Sequence, residues 1–393
     1  MEGAGLNPVV EADLQVRLGS MNEDKSDRYH RLRRRASIAS TVLGIGVLVA
    51  LVVSGGSAAL RAYAASFTRS SFVMTLMLYV VFLALINEAV SLPFAFYQGV
   101  TLERRYGLST QTAARWWFDH FKAGLVTLVF GLIAALIVCS LIRWNPGRWW
   151  IVAAVVFTVI MVGLVQLAPV LLLPLFYEFK PLERVTLVER LVALADRAGA
   201  RVMGVFEWRL SDTTKKANAA LAGIGQTRRI IISDTLLAEH SDDEIEVILA
   251  HELAHHVHRD IWKGIALETV LIVLGFYLAD VALTRFAGSF GLAGKGDIAA
   301  LPLLLLAAGA VSLALLPFAN ALSRAHERRA DRYALEMTQN AGAFVSAMKR
   351  LGAQNLAEEH PSRLVQILFY THPPISDRID AAHAWAAKGT KTG

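Results

Sequence analysis

Histidine and glutamate side chains occur at metal-binding spacing in one otherwise apolar stretch, Val247–Asp260, whose sequence is VILAHELAHHVHRD. His251 and His255 are four residues apart, so on a helix they lie on one face, one turn from each other. Two imidazoles at this spacing can bind one metal ion, and Glu252 can act as general base towards a water molecule. This HExxH pattern predicts zinc-dependent hydrolysis. The alternative is a helix whose histidines merely lie at the membrane surface.

A catalytic zinc ion needs a third protein ligand and leaves a fourth position open for water. The polar segment Ser323–Asp331, SRAHERRAD, supplies a candidate in Glu327. Asp331 follows four residues later on the same helical face, where a carboxylate can orient a ligand histidine. His326 competes as a ligand but lies about 100° round the helix from Glu327. Spacing alone leaves open whether this helix binds metal or is exposed and paired with its own arginines.

Two further segments carry side chains suited to holding a peptide. His372 and Arg378, in THPPISDR, could donate to the negative charge that develops on an attacked carbonyl oxygen. Residues Lys215–Gly225, KKANAALAGIG, resemble a sheet edge to which a substrate adds as a strand, with Asn218 as an additional hydrogen-bonding group. Spacing does not exclude the alternatives, which are a helix start, a surface arginine and an ordinary hairpin strand.

The composition of the chain is that of an integral membrane protein. Of its 393 residues, 55% are hydrophobic and only 18% are charged, whereas soluble domains carry about 25% charged residues. The single cysteine, Cys139, excludes an intrachain disulfide, so metal ligands must be His, Asp or Glu. A transmembrane helix needs about 20 mostly apolar residues. The candidate segments are Ala36–Leu60, Ser70–Ile86 with its continuation, Ala123–Ile142, Trp149–Tyr177, Gly264–Thr284 and Ile298–Ser323.

The basic residues indicate how the chain lies in the membrane. The formal net charge is +6, and Lys and Arg flank the apolar segments, most densely in the N-terminal HRLRRR and in the loop after the second segment. By the positive-inside rule, both termini and the region Glu178–Trp262 lie in the cytoplasm. This explanation of the charge leaves no role for nucleic acid, and the lipid bilayer is the expected surrounding.

We predict a predominantly α-helical polytopic membrane protein with about six transmembrane helices and a small α+β, zincin-like catalytic domain. The expected divisions are a polar cytoplasmic tail 1–35, a four-helix membrane domain 36–177, a catalytic segment with the HExxH helix 178–261, two transmembrane helices 262–323, and C-terminal catalytic helices with a tail 324–393. The last residues, AAKGTKTG, are expected to be disordered.

Periodicity predicts the elements of the soluble segment. A helix spans Leu182–Ala200, three strands are VMGVFEW, NAALAGI and RRIIIS, and GQTR forms the turn between the last two. Ser241–Glu244 reads as a capping box that starts the HExxH helix. The apolar stripe predicted for that helix is Ile245, Ile248, Leu249, Leu253 and Val257.

The chain resembles the type I CAAX prenyl protease family of integral-membrane zinc endopeptidases. The motifs that carry the resemblance are HELAH, SRAHERRAD with its ExxxD pattern, and THPPISDR. Similar segments also include NEAVSLPFAFYQGVTLERRYGLSTQT, LLLPLFYEFKPLE and TRRIIISDTLL, so the resemblance extends from about Phe82 to Asp380. The composition, rich in alanine, arginine and valine, favours a bacterial member.

The resemblance implies one Zn²⁺ per chain, bound by His251, His255 and Glu327, with Glu252 as catalytic base. It implies that Asp331 is a proton donor, while its position in the sequence equally suits a carboxylate that orients a ligand histidine. Both roles stay open.

The resemblance further implies that Asn218, His372 and Arg378 contact the substrate or the transition state. It implies that membrane helices enclose a water-filled chamber capped by the catalytic domain. The expected partner is a peptide or protein substrate, with prenylated and membrane-associated chains as candidates, and the oligomeric state is not predicted. Eukaryotic members have seven spans against six here, and they carry aromatic residues where this chain has NAALAG.

The leading hypothesis is a zinc-dependent metalloendopeptidase of the cytoplasmic membrane with its catalytic domain on the cytoplasmic side. Such an enzyme would perform CAAX-like C-terminal processing or proteolysis of membrane proteins and peptides. A metal transporter or sensor, the first alternative, predicts ligands within the spans, where the acids Glu88, Glu268 and Asp280 are expected to have no histidine nearby. A catalytically inactive scaffold, the second, predicts a missing ligand or base, and none is missing.

Overall fold

Six long apolar helices dominate the computed structural model, which describes residues 8–223 and 228–389, without the side chains of residues 8–24 and 169–170. Among the described residues, six helices are long and apolar enough to cross a bilayer, as predicted. These candidate spans are Lys25–Val53, Phe72–Arg105, Ala113–Trp144, Trp149–Ala168, Asp260–Phe286 and Ile298–Thr338.

The N-terminal half differs from the prediction in its first helix. Helix α1 runs without a break over Pro8–Val53, so the described part of the predicted polar tail is a helical extension of the first span. The predicted span to Leu60 is also wrong, because Gly55 adopts a left-handed φ of 74° and a separate short helix, α2, covers Gly56–Phe67. The Gly55-Gly56 pair ends the first helix since glycine accepts this conformation without steric cost.

Three longer helices complete this half. They are α3, Phe72–Phe96, which continues through a π-helical turn at Tyr97–Leu102 into the short α4, Glu103–Arg105, then α5, Ala113–Trp144, and α6, Trp149–Leu171.

The soluble segment that follows contains a four-stranded sheet. Its strands are β1, Phe179–Pro181, β2, Val205–Trp208, β3, Ala219–Ala222, and β4, Arg229–Ser233. The strand order is β1-β2-β4-β3, with β2 and β4 parallel and the other pairs antiparallel. The prediction that NAALAG lies at a sheet edge is confirmed, because β3 is the outer strand. The predicted GQTR turn lies mostly outside the described residues, and β1 was not predicted.

Helices pack against one face of this sheet. Helix α7, Val185–Arg197, precedes β2, and α8, Asp234–Glu239, and α9, Asp242–Val257, follow β4. The apolar stripe of α9 is confirmed over its first three turns, where Ile245, Ile248, Leu249 and Leu253 are buried. Val257 was assigned to this stripe wrongly. It is 39% exposed, because it belongs to the last turn, beyond the apolar cluster that α9 shares with the sheet.

The C-terminal half contains two further membrane-spanning helices, and the second of them also packs against α9. Helix α10 covers Asp260–Phe286 and α11 covers Leu301–Thr338, so that α11 runs from the predicted sixth span directly into the catalytic region. Shorter helices follow at α12, Ala341–Gln354, α13, Arg363–Phe369, and α14, Ile375–Gly389. The expectation of a disordered AAKGTKTG is wrong for residues 386–389, which continue α14, and residues 390–393 lie outside the described part.

Candidate metal centre

The start of α9 is fixed by the predicted capping box. The Ser241 hydroxyl accepts from the backbone N–H of Glu244 at 3.3 Å, and the Glu244 carboxylate accepts from the backbone N–H of Ser241 at 2.8 Å. These two bonds satisfy N–H groups that the first helical turn leaves without partners. With its apolar face packed on the sheet, α9 presents the opposite face, with the HExxH residues, towards α11.

Three predicted ligands meet where α9 crosses α11. The Nε2 atom of His251 lies 3.2 Å from Oε2 of Glu327, and Nε2 of His255 lies 3.4 Å from Oε1 of the same carboxylate. One candidate ligand atom from each residue lies within 4.8 Å of the others. Among the described residues, this is the single His, Cys, Asp and Glu group that meets such a criterion for binding a metal ion.

The Glu327 carboxylate fits a metal ligand better than an ordinary ion-pair partner. Its side chain is only 7% exposed, yet its buried Oε2 accepts no hydrogen bond from any described residue. The 3.2 Å approach of His251 satisfies an ion-pair distance but not hydrogen-bond geometry. Because a buried carboxylate oxygen rarely lacks a partner, and the Nε2 atoms of His251 and His255 converge on the two oxygens of this carboxylate, the residues suit a divalent ion of the kind that histidine and carboxylate bind.

Asp331 supports His251 from the side opposite Glu327. Its Oδ1 lies 2.9 Å from His251 Nδ1, and Arg378 holds the same carboxylate by two hydrogen bonds of 2.9 Å and 2.5 Å. Burial lowers the pKa of His251, but its contacts with the Asp331 and Glu327 carboxylates outweigh burial and raise that pKa to about 9. With Nδ1–H directed at Asp331, the Nε2 lone pair of a neutral His251 is directed towards the metal position.

Asp260 supports His255 in the same way, although it was not among the predicted site residues. Its Oδ2 lies 3.1 Å from His255 Nδ1, and Lys263 and Arg329 also bind this buried carboxylate. Asp260 reaches His255 because Arg259 adopts a left-handed φ of 56° and reverses the chain between α9 and α10. The sequence indicates this chain reversal only weakly, since arginine rarely takes a left-handed conformation and no glycine marks the turn.

Glu252 lies next to His251 in the chain and is not part of the candidate ligand group. It is partly buried on α9, and burial raises its pKa while the neighbouring His251 and His255 oppose that change. A carboxylate whose pKa is raised above its usual value is better suited to accept and return a proton.

The predicted substrate contacts lie around the same centre. The Nε2 atom of His372 is 3.4 Å from Glu327 Oε1, and the His372 side chain is 60% exposed. Asn218 is exposed immediately before β3, where its backbone N–H and C=O are held by Ser233. The Arg378 guanidinium contacts Asp331 and lies 3.4 Å from His251 Nδ1. The substrate roles of these three residues stay predictions.

Two other histidines, His326 and His120, lie near acidic side chains. His326 lies 3.8 Å from Asp260 and outside the ligand group, as its position round the helix indicated. The statement that the acids within the spans have no histidine nearby is wrong for Glu88, whose Oε1 lies 2.7 Å from Nε2 of His120. These two residues are 32 apart in the chain and come together because α3 packs on α5. They line a mainly apolar cavity of about 620 Å³ among the membrane helices.

Comparisons with known proteins assign the chain to a family. The model described as peptidase family M48 matches residues 181–386, and that of the CAAX prenyl protease N-terminal region, five membrane helices, matches residues 10–178. This chain belongs to peptidase family M48. It is a multi-pass integral membrane metalloprotease, which favours the protease hypothesis over a transporter, a sensor or an inactive scaffold. In the second matched region, the described residues contain four helices of spanning length and the 12-residue α2.

Individual M48 relatives agree with this assignment. An uncharacterized metalloprotease, YhfN of Bacillus subtilis, is 34% identical over 84% of this chain and 78% of its own length. CAAX prenyl protease 1 of Saccharomyces cerevisiae is 25% identical over 76% of this chain and 70% of its own. The crystal structure of S. mikatae Ste24p superposes with a TM-score of 0.82 at 24% identity, covering 92% of this chain and 89% of that one. The resemblance to CAAX prenyl proteases and the predicted fold class are confirmed.

Proposed function

We propose that this M48 member is a zinc endopeptidase that hydrolyses peptide bonds of membrane-associated substrates at the cytoplasmic face of the membrane. The observation that carries the proposal is the convergence of His251 and His255 from α9 and Glu327 from α11 on one position. Zinc is the metal that matches two imidazoles and one carboxylate with a fourth position left for water. One ion per chain is expected.

The residues around this position divide the work of hydrolysis. Zinc, when bound, acts as a Lewis acid towards water and the scissile carbonyl. Glu252 accepts a proton from the attacking water and delivers it to the leaving amine. His372, exposed beside Glu327, donates a hydrogen bond to the carbonyl oxygen as negative charge develops there. Asp331, held by Arg378, keeps the His251 ring in place, which its 2.9 Å contact supports over the role of proton donor.

The substrate chain is held extended along β3. This strand is the free edge of the sheet, so its outer backbone groups can pair with an added peptide strand. Asn218, exposed at the start of that edge, contributes a side-chain hydrogen bond. Strand β3 and the segment around His372 both contact the peptide. They lie within the predicted catalytic divisions 178–261 and 324–393, respectively.

The position of the site relative to the membrane favours a membrane-associated substrate and cleavage on one side of the membrane. Helix α11 carries Glu327 about one turn beyond Ser323, where the predicted apolar span ends, so the scissile bond is cut close to the membrane surface. The basic loops support a cytoplasmic position for that surface, which for a bacterial chain means the inner membrane. Relatives named CAAX prenyl protease support C-terminal processing of a prenylated substrate, and proteolysis of other membrane-associated peptides is the competing task.

A peptide cleavage assay tests the proposal. Detergent-purified, zinc-loaded wild type and Glu252→Gln are incubated with a quenched-fluorescent peptide ending in a CAAX sequence, with and without a farnesyl group. Glu246→Gln, on the same helix and paired with Arg190 away from the site, is the matched control. We expect cleavage by wild type and control and none by Glu252→Gln. A faster rate with farnesyl indicates C-terminal processing, equal rates indicate general proteolysis, and no cleavage of either peptide contradicts the proposal.

A further inference from the structure

The cytoplasmic turns of α1 lie against the catalytic region, although they are far from the metal ligands in the sequence. The Ser26 hydroxyl donates to the carbonyl oxygens of Leu356 and Ala357 at 3.0 and 2.7 Å, and His30 Nε2 lies 2.8 Å from the Leu356 oxygen. Leu356 is a buried non-glycine residue with a left-handed φ of 51°. Such a conformation persists only where its surroundings hold it, and here α1 is part of what holds it.

One branch of these contacts leads to β3. The Tyr29 hydroxyl donates to Glu103 Oε1 at 2.5 Å, and Lys216 Nζ binds the same oxygen at 2.9 Å. Tyr29 is almost fully buried, and the Glu103 side chain is 13% exposed, so this is an ion pair largely shielded from water. Lys216 lies two residues before Asn218. Its carbonyl oxygen also accepts from the Thr235 hydroxyl at 2.8 Å.

Ala217, between Lys216 and Asn218, is also held by a residue next to the segment that α1 contacts. The backbone N–H of Ala217 donates to Asn355 Oδ1 at 3.0 Å, and Asn355 Nδ2 lies 3.4 Å from the Ala217 oxygen. Asn355 directly precedes Leu356, the residue that α1 contacts. The approach to the substrate edge is therefore fixed at consecutive residues by groups connected to α1.

A second branch leads to the segment of His372. Arg34 binds both carboxylate oxygens of Glu358, and the Tyr370 hydroxyl donates to the same carboxylate. Glu358 is only 7% exposed. Tyr370 lies two residues before His372, and its carbonyl oxygen accepts from Arg324 at 2.6 Å. Arg324 is on α11, one turn before Glu327, so Tyr370 is fixed between the metal-ligand helix and the Glu358–Arg34 pair.

We propose that residues Ser26–Arg34 of α1 position both walls of the substrate cleft, β3 through Glu103 and Lys216, and His372 through Glu358 and Tyr370. These are positioning residues, since none of them lies within the ligand group. The inference rests on the proposed function, because it assigns substrate contacts to β3 and His372. It gives α1 a role beyond membrane anchoring, as a helix that ties the N-terminal membrane domain to the geometry of the cleft.

The two branches predict different kinetic effects. Lys216→Met loosens β3, which binds the peptide equally before and during reaction, so KM should rise by about tenfold with little change in kcat. Tyr370→Phe frees the His372 segment, which acts on the developing charge, so kcat should fall by about tenfold with little change in KM. Lys216→Arg keeps a donor for Glu103 and should restore a KM near that of wild type.

Controls and a readout independent of activity complete the test. Lys349→Met and Tyr63→Phe change an exposed lysine and an exposed tyrosine of the same chain and should leave both constants unchanged. Hydrogen–deuterium exchange should rise in residues 215–223 for Lys216→Met and for Tyr29→Phe, which removes the α1 hydroxyl bound to Glu103. It should rise in residues 370–378 for Tyr370→Phe and for Arg34→Met, which removes the α1 partner of Glu358, with zinc content unchanged in all four variants.

The possible outcomes separate this inference from the proposed function. If wild type cleaves but the variants change only the melting temperature, or each variant changes kcat and KM together, the positioning role is overturned. If wild type cleaves no peptide, the proposed function fails, and the exchange pattern still decides whether α1 holds the two segments. Exchange that is unchanged in 215–223 and 370–378 overturns the inference.

Discussion

The Nδ1 atom of His251 lies 2.9 Å from Oδ1 of Asp331, one helical turn beyond Glu327 on α11. One face of α11 therefore provides both a candidate ligand and the carboxylate that orients a second ligand. Arg378 from α14 fixes the other edge of Asp331. The metal position is thus determined by the crossing of two helices rather than by the HExxH helix alone.

Replacing Asp331 by Asn should weaken zinc binding by about 10- to 100-fold, the usual effect of losing a carboxylate behind a ligand histidine. Zinc affinity can be measured by competition with a fluorescent chelator. Asp196→Asn, an exposed aspartate on α7, is the control and should bind zinc as wild type does. Unchanged affinity together with a large fall in kcat would instead assign Asp331 as the proton donor.

Replacing Asp260 by Asn should lower zinc affinity to a similar extent, because the carboxylate 3.1 Å from His255 Nδ1 is lost. The same competition assay measures it. If Asp260 and Asp331 each orient a separate ligand, the double variant should bind more weakly than either single variant. An Asp260→Asn protein with wild-type affinity would show that the contact is merely structural.

Zinc binding should release a proton from His251 at pH 8. In the metal-free protein the pKa of His251 is raised to about 9, so the ring is mostly protonated at pH 8 and must lose its proton to bind zinc. Affinity should fall as the pH drops below 9, where an unperturbed histidine would show this loss only below about 6.5. Calorimetry in two buffers of different ionisation enthalpy should give about one proton per zinc. Release of none at pH 8 would contradict the raised pKa.

Much of the site was predictable because its signals are local. His251, Glu252 and His255 lie within one helix, and Glu327 and Asp331 share one helical face, so periodicity alone grouped each set. The membrane spans were predictable from apolar length, apart from the break at Gly55. Asp260 escaped notice because its approach depends on the left-handed Arg259.

Contacts between distant segments could not be read from the sequence. Glu88 meets His120, and Arg34 meets Glu358 across 324 residues, only because helices from different parts of the chain pack together. The same holds for α1, whose charged N-terminal part resembles a solvated tail by composition. Its turns around Ser26 and His30 contact buried partners in the C-terminal region, such as Leu356.

The measurement that tests the central claim most directly is zinc content and peptide cleavage in wild type, Glu252→Gln and Glu327→Gln, purified side by side. The account predicts one zinc per chain in wild type and Glu252→Gln, greatly weakened zinc binding in Glu327→Gln, and cleavage by wild type alone. Cleavage by Glu252→Gln, or full zinc occupancy in Glu327→Gln at wild-type affinity, would contradict it.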